Sequence, residues 1–377
     1  MHDAVKLLRD LIALPSVNPA FLPERDPRGG EQRIVDFLTA TATRAGLDVE
    51  TDEVFPNRCN LIIRLLPAGR IRQRVVLAPH MDTVGVSSDE QFQPVLKRGR
   101  LHGRGACDTK GSVAAMTAAL LNLAAAARRP SGTEVMLIAL VDEESAQSGS
   151  RHLVRRGFRA ELAVVGEPTR LRVVTAHKGD LWLQLETRGV AAHGSRPELG
   201  RNAVHLMARI VDLLETRYAR QLRRLRHPLL RHATINVGTI AGGRQPNIVP
   251  DRCVIRIDRR TVPGERDSAV KQEILRFIRQ HGFTASLVDT KSEGPAPPLE
   301  TDRRLPLVQQ FLRCAGQKDP AGVDFFTDAG VLAAGGIPSV VFGPGDIAQA
   351  HTADEWVAVR QVERATRLLQ RFLEALP

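Results

Sequence analysis

Four short apolar, β-rich runs in this chain each lead to an acidic or histidine residue. Arg74–Pro79 runs into His80-Met81-Asp82-Thr83, and Glu134–Val141 into Asp142-Glu143-Glu144. Glu161–Val165 runs into Gly166-Glu167-Pro168, and Ile337–Phe342 leads through Gly343-Pro344-Gly345 towards His351. Helical stretches lie between the runs, and strands alternating with helices imply a largely parallel or mixed sheet with helices on its faces. Sheets of that kind place their ligands beyond the carboxyl ends of the strands. One such fold brings His80, Asp108, Glu143, Glu144, Glu167 and His351 to a single rim. Two imidazoles and four carboxylates there suit a pair of divalent metal ions.

The elements between these runs can be placed by pattern. Val5–Leu14 reads as a helix that stops at Pro15, and Gln32–Ala45 as a second closed by Gly46. Leu61–Leu66 and Arg74–Ala78 read as strands, Ser112–Ala127 as a buried Ala-rich helix, and Gly149–Arg156 as a helix. The pattern changes near Lys178. Leu181–Thr187, Thr234–Ile240, Cys253–Arg259 and Thr284–Val288 alternate as strands, with helices at Asn202–Tyr218 and Asp267–His281. That β-α-β-β-α-β order is the ferredoxin-like motif. The Pro-rich stretch Gly294–Pro298 marks a return to the first pattern. The expectation is a discontinuous catalytic domain, 1–177 and 293–377, with an inserted α+β domain at 178–292.

The rim residues divide by chemistry. His80 and Asp82 are two apart, so on an extended segment they share a face. His80 can then bind a metal while Asp82 orients its ring, although H-x-D is also common in surface loops. Asp108 lies in the Gly-rich turn Gly103–Gly111 ahead of a helix. Its two oxygens can bridge two cations, and an Asp there equally suits a helix N-terminus. Glu143 and Glu144 are adjacent, so their side chains diverge and suit different tasks. A Glu-Glu pair is also ordinary on a solvated surface, but this one follows an apolar strand.

As an ordered set these segments resemble the M20 metallopeptidase family. The set is His80–Val84, Gly103–Gly111, Asp142–Glu144, Gly166–Thr169, Ala192-His193-Gly194, Asn247–Pro250, and Gly343–Gly345 followed by Ala350–Glu355. The resemblance covers nearly the whole chain. It implies a zinc-hydrolase-type mixed sheet flanked by helices and an inserted ferredoxin-like lid or dimerisation domain. It implies two divalent metals, zinc first, with cobalt or manganese as alternatives. His80, Asp108 and Glu167 would hold one, and Asp108, Glu144 and His351 the other. Asp82 would orient His80, and Glu143 would be the general base. His193 would steady the oxyanion in the partner subunit's site, so a homodimer is implied. Asn247 and Arg260 match positions that bind the substrate carboxylate or oxyanion region. Departures fall around the pocket. Pro79 stands where the family usually has Gly, and Val86–Pro94 is short and lacks a Trp. Phe325–Ala329 and Gly343–His351 look more like the acetylornithine deacetylase branch than the desuccinylases. The implied reaction is hydrolysis of an N-acyl amino acid or peptide. Desuccinylase, dipeptidase and carboxypeptidase activities are the nearest rivals, and a catalytically silent binding scaffold is the rival of another class.

Composition bears on the remaining classes. The net charge is +11, mostly Arg, densest over Arg217–Arg231, with only 4% aromatic residues and no nucleic-acid motif. Nucleic-acid binding is therefore not expected, while the charge can attract anionic substrates. No apolar run reaches the ~20 residues needed to span a bilayer, and the N-terminal residues do not read as a secretory signal. Cys59, Cys107, Cys253 and Cys314 are scattered without a C-x-x-C pair, which suits a reducing cytoplasm.

Overall fold

Continuous apolar runs form the centre of a sheet because both of their faces are covered. In this computed structural model, which describes residues 2–126, 129–224, 226–289 and 294–377, the strands Gln73–Pro79, Thr133–Ala139 and Leu162–Gly166 lie side by side and parallel. Every residue of the second and third is buried. Ser339–Val341 continues the parallel order beyond Leu162–Gly166. On the other side Arg58–Leu65 pairs antiparallel with Thr133–Ala139, and Asp48–Phe55 forms the edge. The sheet is therefore mixed, and among the described residues it holds nine strands.

The chain divides into two compact units. The first comprises Met1–Thr175, Glu300–Gly322 and Thr327–Pro377, and the second Ala176–Leu299 and Val323–Phe326. The expected return at 292/293 falls on residues 290–293, outside the described residues. Val323–Phe326, expected with the catalytic segment, groups instead with the second unit. The Lys178 backbone N–H donates to the Val323 carbonyl (3.3 Å), and the Lys178 ammonium pairs with Asp324 (2.8 Å). The Phe326 ring lies 5.4 Å from the Arg260 guanidinium.

In the first unit the Ala-rich helix expected at Ser112–Ala127 spans Lys110–Ala124, with Ala127 outside the described residues. All of its residues are buried, because small side chains let neighbours approach on every side. Ala4–Ile12 and the C-terminal helix Val359–Glu374 pack on it. The helices Ser148–Arg155 and Asp328–Ala334 pack together.

The second unit carries its own antiparallel sheet. The strands Gly179–Arg188, Thr234–Gly242, Arg252–Thr261 and Ser286–Asp289 are ordered second, third, first, fourth. With helices Ala203–Leu213 and Asp267–Gln280 the order is β-α-β-β-α-β. The helix expected to Tyr218 loosens into a π-turn at Leu214–Tyr218 and then runs on through Ala219–Leu222. Alternation serves this sheet well: Leu181, Leu183 and Leu185 are buried under the helices, whereas Trp182 between them is exposed.

Candidate metal centre

The carboxyl end of the parallel strands is where the polar residues gather. Beyond Pro79, His80 bridges to Leu140, and the Met81 N–H donates to the Leu140 carbonyl at 2.8 Å. His80 is thereby fixed to the end of the neighbouring strand. Asp142 takes a left-handed backbone (φ 66°), held by Ser148 Oγ at 2.6 Å and Asn18 Nδ2 at 2.9 Å. That turn points the N–H groups of Glu143 and Glu144 at the two oxygens of Asp82, each at 3.1 Å. Glu167 follows Gly166, where a Cβ would lie 2.8 Å from Ser112 Cβ and 3.1 Å from Pro79 Cβ, so only Gly allows this close approach.

Two ligand triplets result. Donor atoms of His80, Asp108 and Glu167 lie within 4.8 Å of one another, as do those of Asp108, Glu144 and His351. Asp108 belongs to both. Its Oδ1 is 3.1 Å from His80 Nε2, and its Oδ2 is 3.2 Å from His351 Nε2. His351 Nε2 also lies 3.2 Å from Glu144, and Glu167 Oε1 lies 3.6 Å from His80 Nε2. Asp108 does not cap the following helix. That helix begins at Lys110 with Thr109 as its cap residue. His80 Nδ1 faces Asp82 twice, at 3.0 Å from the carbonyl oxygen and 3.3 Å from Oδ1.

Electrostatics show how crowded the charges are. Burial works against a charged His80, but hydrogen bonds to Asp108 and Asp82 more than offset it and hold its pKa well above the ordinary value. Burial likewise opposes ionised Asp108, yet the bonds from His351 and His80 draw its pKa down. Burial, then the Asp108 charge, raises Glu144 to about 7 and Glu167 well above the carboxylate range. Glu143 is also raised well above that range, chiefly by burial and also by Glu167, Asp328 and Glu144, against the pull of His80. Glu167 Oε1 is buried with no hydrogen-bond partner among the described residues. Buried carboxylates this close, one oxygen of them orphaned, are the donor set that hard or borderline divalent cations take. The residues therefore fit a two-ion site.

Three expected residues belong to the second unit. His193 is exposed, and its Nδ1 sits 2.7 Å from Ser195 Oγ. Its backbone bridges to Ile248, and the Gly194 N–H donates to the Asn247 carbonyl at 2.7 Å, so His193 and exposed Asn247 share one loop cluster. The Arg260 guanidinium is occupied by Asp258, Nε to Oδ1 at 2.8 Å and Nη2 to Oδ2 at 2.9 Å.

Sequence reasoning missed several residues that shape the rim. Asn18 donates to Asp82 at 2.7 Å and to Asp142. Asp328 is buried against Ser150 (2.5 Å), and burial raises it to about 7. Glu355 holds the loop before Asp108. Asp328 and Glu355 lay inside segments that the family resemblance had singled out, but Asn18 carried no local signal.

The model of peptidase family M20/M25/M40 matches residues 76–375. The chain belongs to that family. A relative, acetylornithine deacetylase of Myxococcus xanthus, is 33% identical over 355 residues, 90% of each chain. The structure is also similar to aminopeptidase PepT from Bacillus cereus, with a TM-score of 0.76, 24% identity, and 99% and 97% of the two chains covered. A dinuclear metal-binding M20 peptidase from Bacillus subtilis has a TM-score of 0.72 at 13% identity, covering 98% of this chain and 96% of its own. As an M20 member this protein is a metal-dependent hydrolase of amide bonds. Among the described residues, no helix is long and apolar enough to cross a membrane.

Proposed function

We propose that this M20 hydrolase deacylates an N-acyl amino acid carrying a free carboxylate, with N-acetylornithine as the first substrate. The observation that carries the reading is the pair of triplets sharing Asp108, with Glu143 beside them and outside both. The 33% identity to an acetylornithine deacetylase supports the choice of acyl group. His80, Asp108 and Glu167 would hold one divalent ion and Asp108, Glu144 and His351 the second. Zinc is the first candidate, with cobalt and manganese next. Such a pair supplies carbonyl polarisation and brings the pKa of water towards ~7.

The side chains supply the rest. Asp82 fixes the His80 ring and the Glu143–Glu144 turn. Glu143 takes a proton from the attacking water and passes it to the leaving amine, a task suited to a buried carboxylate at the rim that belongs to neither triplet. His193, from the exposed loop of the second unit, steadies the tetrahedral oxyanion of the partner subunit in a homodimer, and Asn247 beside it lines the same region. Arg260 binds the substrate carboxylate by exchanging it for Asp258, since guanidinium binds carboxylates through two parallel hydrogen bonds. Free thiols at all four cysteines support a cytoplasmic setting, which cell fractionation checks.

The test is a panel of N-acetyl, N-succinyl and dipeptide substrates, each with its carboxylate free or amidated. N-acetylornithine should lead, and amidation should make every substrate poor. Arg260→Lys should lower kcat/KM for the free acid by about 1.5–3 kcal/mol and change the amide little. A lead for N-succinyl substrates or dipeptides would overturn the substrate assignment. Equal losses for acid and amide would leave Arg260 as Asp258's partner only.

A further inference from the structure

Asp108 can serve two ions only if its backbone is held still, and the structure shows what holds it. Glu355 is 2% exposed and stands just before the strand Trp356–Ala358, which pairs with Arg100–His102. Its Oε1 accepts the backbone N–H groups of Cys107 (2.8 Å) and Asp108 (3.0 Å). Its Oε2 accepts the Gly105 N–H (3.0 Å) and Arg104 Nη1 (2.7 Å). Its carbonyl takes the Gly103 N–H at 3.0 Å. One residue thus accepts four of the six backbone N–H groups of residues 103–108, the Arg104 and Ala106 N–H groups going to the Gln91 and Gly103 carbonyls. Arg104 is itself 3% exposed and balances the carboxylate's charge. Leaving buried N–H groups unpaired costs about 1–3 kcal/mol each, so the loop has no comparably stable position away from this carboxylate.

We infer that Glu355 is a positioning residue for both metals, acting through the backbone of Asp108 without touching an ion. The geometry makes a claim that a general stabilising role does not. Asp108 belongs to both triplets, so loosening its backbone must weaken both ions, whereas loss of a residue in one triplet weakens one. In Glu355→Gln an amide NH₂ replaces one acceptor oxygen and faces N–H donors. Partners that orient metal ligands typically change metal affinity by ~10–100-fold.

The inference rests on the two-ion reading, which the unaltered protein tests separately by taking up two Zn²⁺ in a calorimetric titration after stripping. Given that result, Glu355→Gln should weaken both Zn²⁺ steps by roughly 10–100-fold, and Glu355→Asp should recover part of the loss by restoring the charge. The Co²⁺-loaded variant should show an altered visible absorption spectrum. Glu144→Gln should weaken one step only. Wild-type affinities at both steps in Glu355→Gln, or a loss confined to one step, would overturn the inference. So would a lowered melting temperature of the stripped protein with both affinities kept. If Glu355→Gln does not fold, the titration of Glu355→Asp decides: losses at both steps support the role, and none overturns it.

Discussion

Asp82 and Asp108 are both buried carboxylates, yet the structure uses their oxygens oppositely. Asp108 splits its two between His80 and His351. Asp82 turns both towards backbone N–H groups of Glu143 and Glu144 while one also meets the His80 ring. Adjacent residues anchored at one carboxylate send their side chains apart, which is the physical basis for dividing their roles. Glu143→Gln should keep both ions and lose turnover by ~10²–10⁴-fold, the usual contribution of general acid–base catalysis. Glu144→Gln should weaken one ion. Metal content measured on both variants decides: equal metal loss would mean that the division is wrong.

Elements differed in how plainly the sequence announced them. The central strands were legible because burial on both faces leaves an unbroken apolar run, as in Val135–Val141. The edge strand Asp48–Phe55 was not, because it is acidic and mostly exposed, with only Asp52 buried in it. Trp356–Ala358 is three residues long and gives no periodicity. The rim positions of His80, Glu143, Glu144 and Glu167 were readable from their place after strands, whereas the hold of Glu355 on residues 103–108 depends on contacts nearly 250 positions away in the chain. The chain crossing after Ser339–Val341 shows what tight element packing demands. At Gly343 a Cβ would fall 2.3 Å from Ser112 Oγ and 2.6 Å from the Glu167 carbonyl oxygen. Gly343→Ala should cost about 1–3 kcal/mol of stability, the range for overpacking, seen as a lowered melting temperature. It should also weaken the ion that the His80–Asp108–Glu167 triplet would hold more than the other. An unchanged melting temperature would show that the crossing yields without strain.

At the scale of the whole molecule, the residues of both ligand triplets lie in the first unit, whereas His193, Asn247 and Arg260 lie in the second. If His193 serves a partner's site, His193→Ala should reduce turnover with both metals retained. Mixing that chain with Glu143→Gln should restore part of the activity, because one site of each mixed dimer then has both residues intact. No recovery in a mixture with verified subunit exchange would rule out supply in trans.

The Lys110–Ala124 helix is buried all round and is partly covered by Val359–Glu374, with Asn122 donating to Gln370 at 3.3 Å. In the chain these two elements are far apart, Lys110–Ala124 being made well before Val359–Glu374. Until Val359–Glu374 is made, Lys110–Ala124 lacks one of the two helices that pack on it. Loss of Val359–Glu374 should therefore expose apolar surface on Lys110–Ala124, seen as increased binding of a hydrophobic dye.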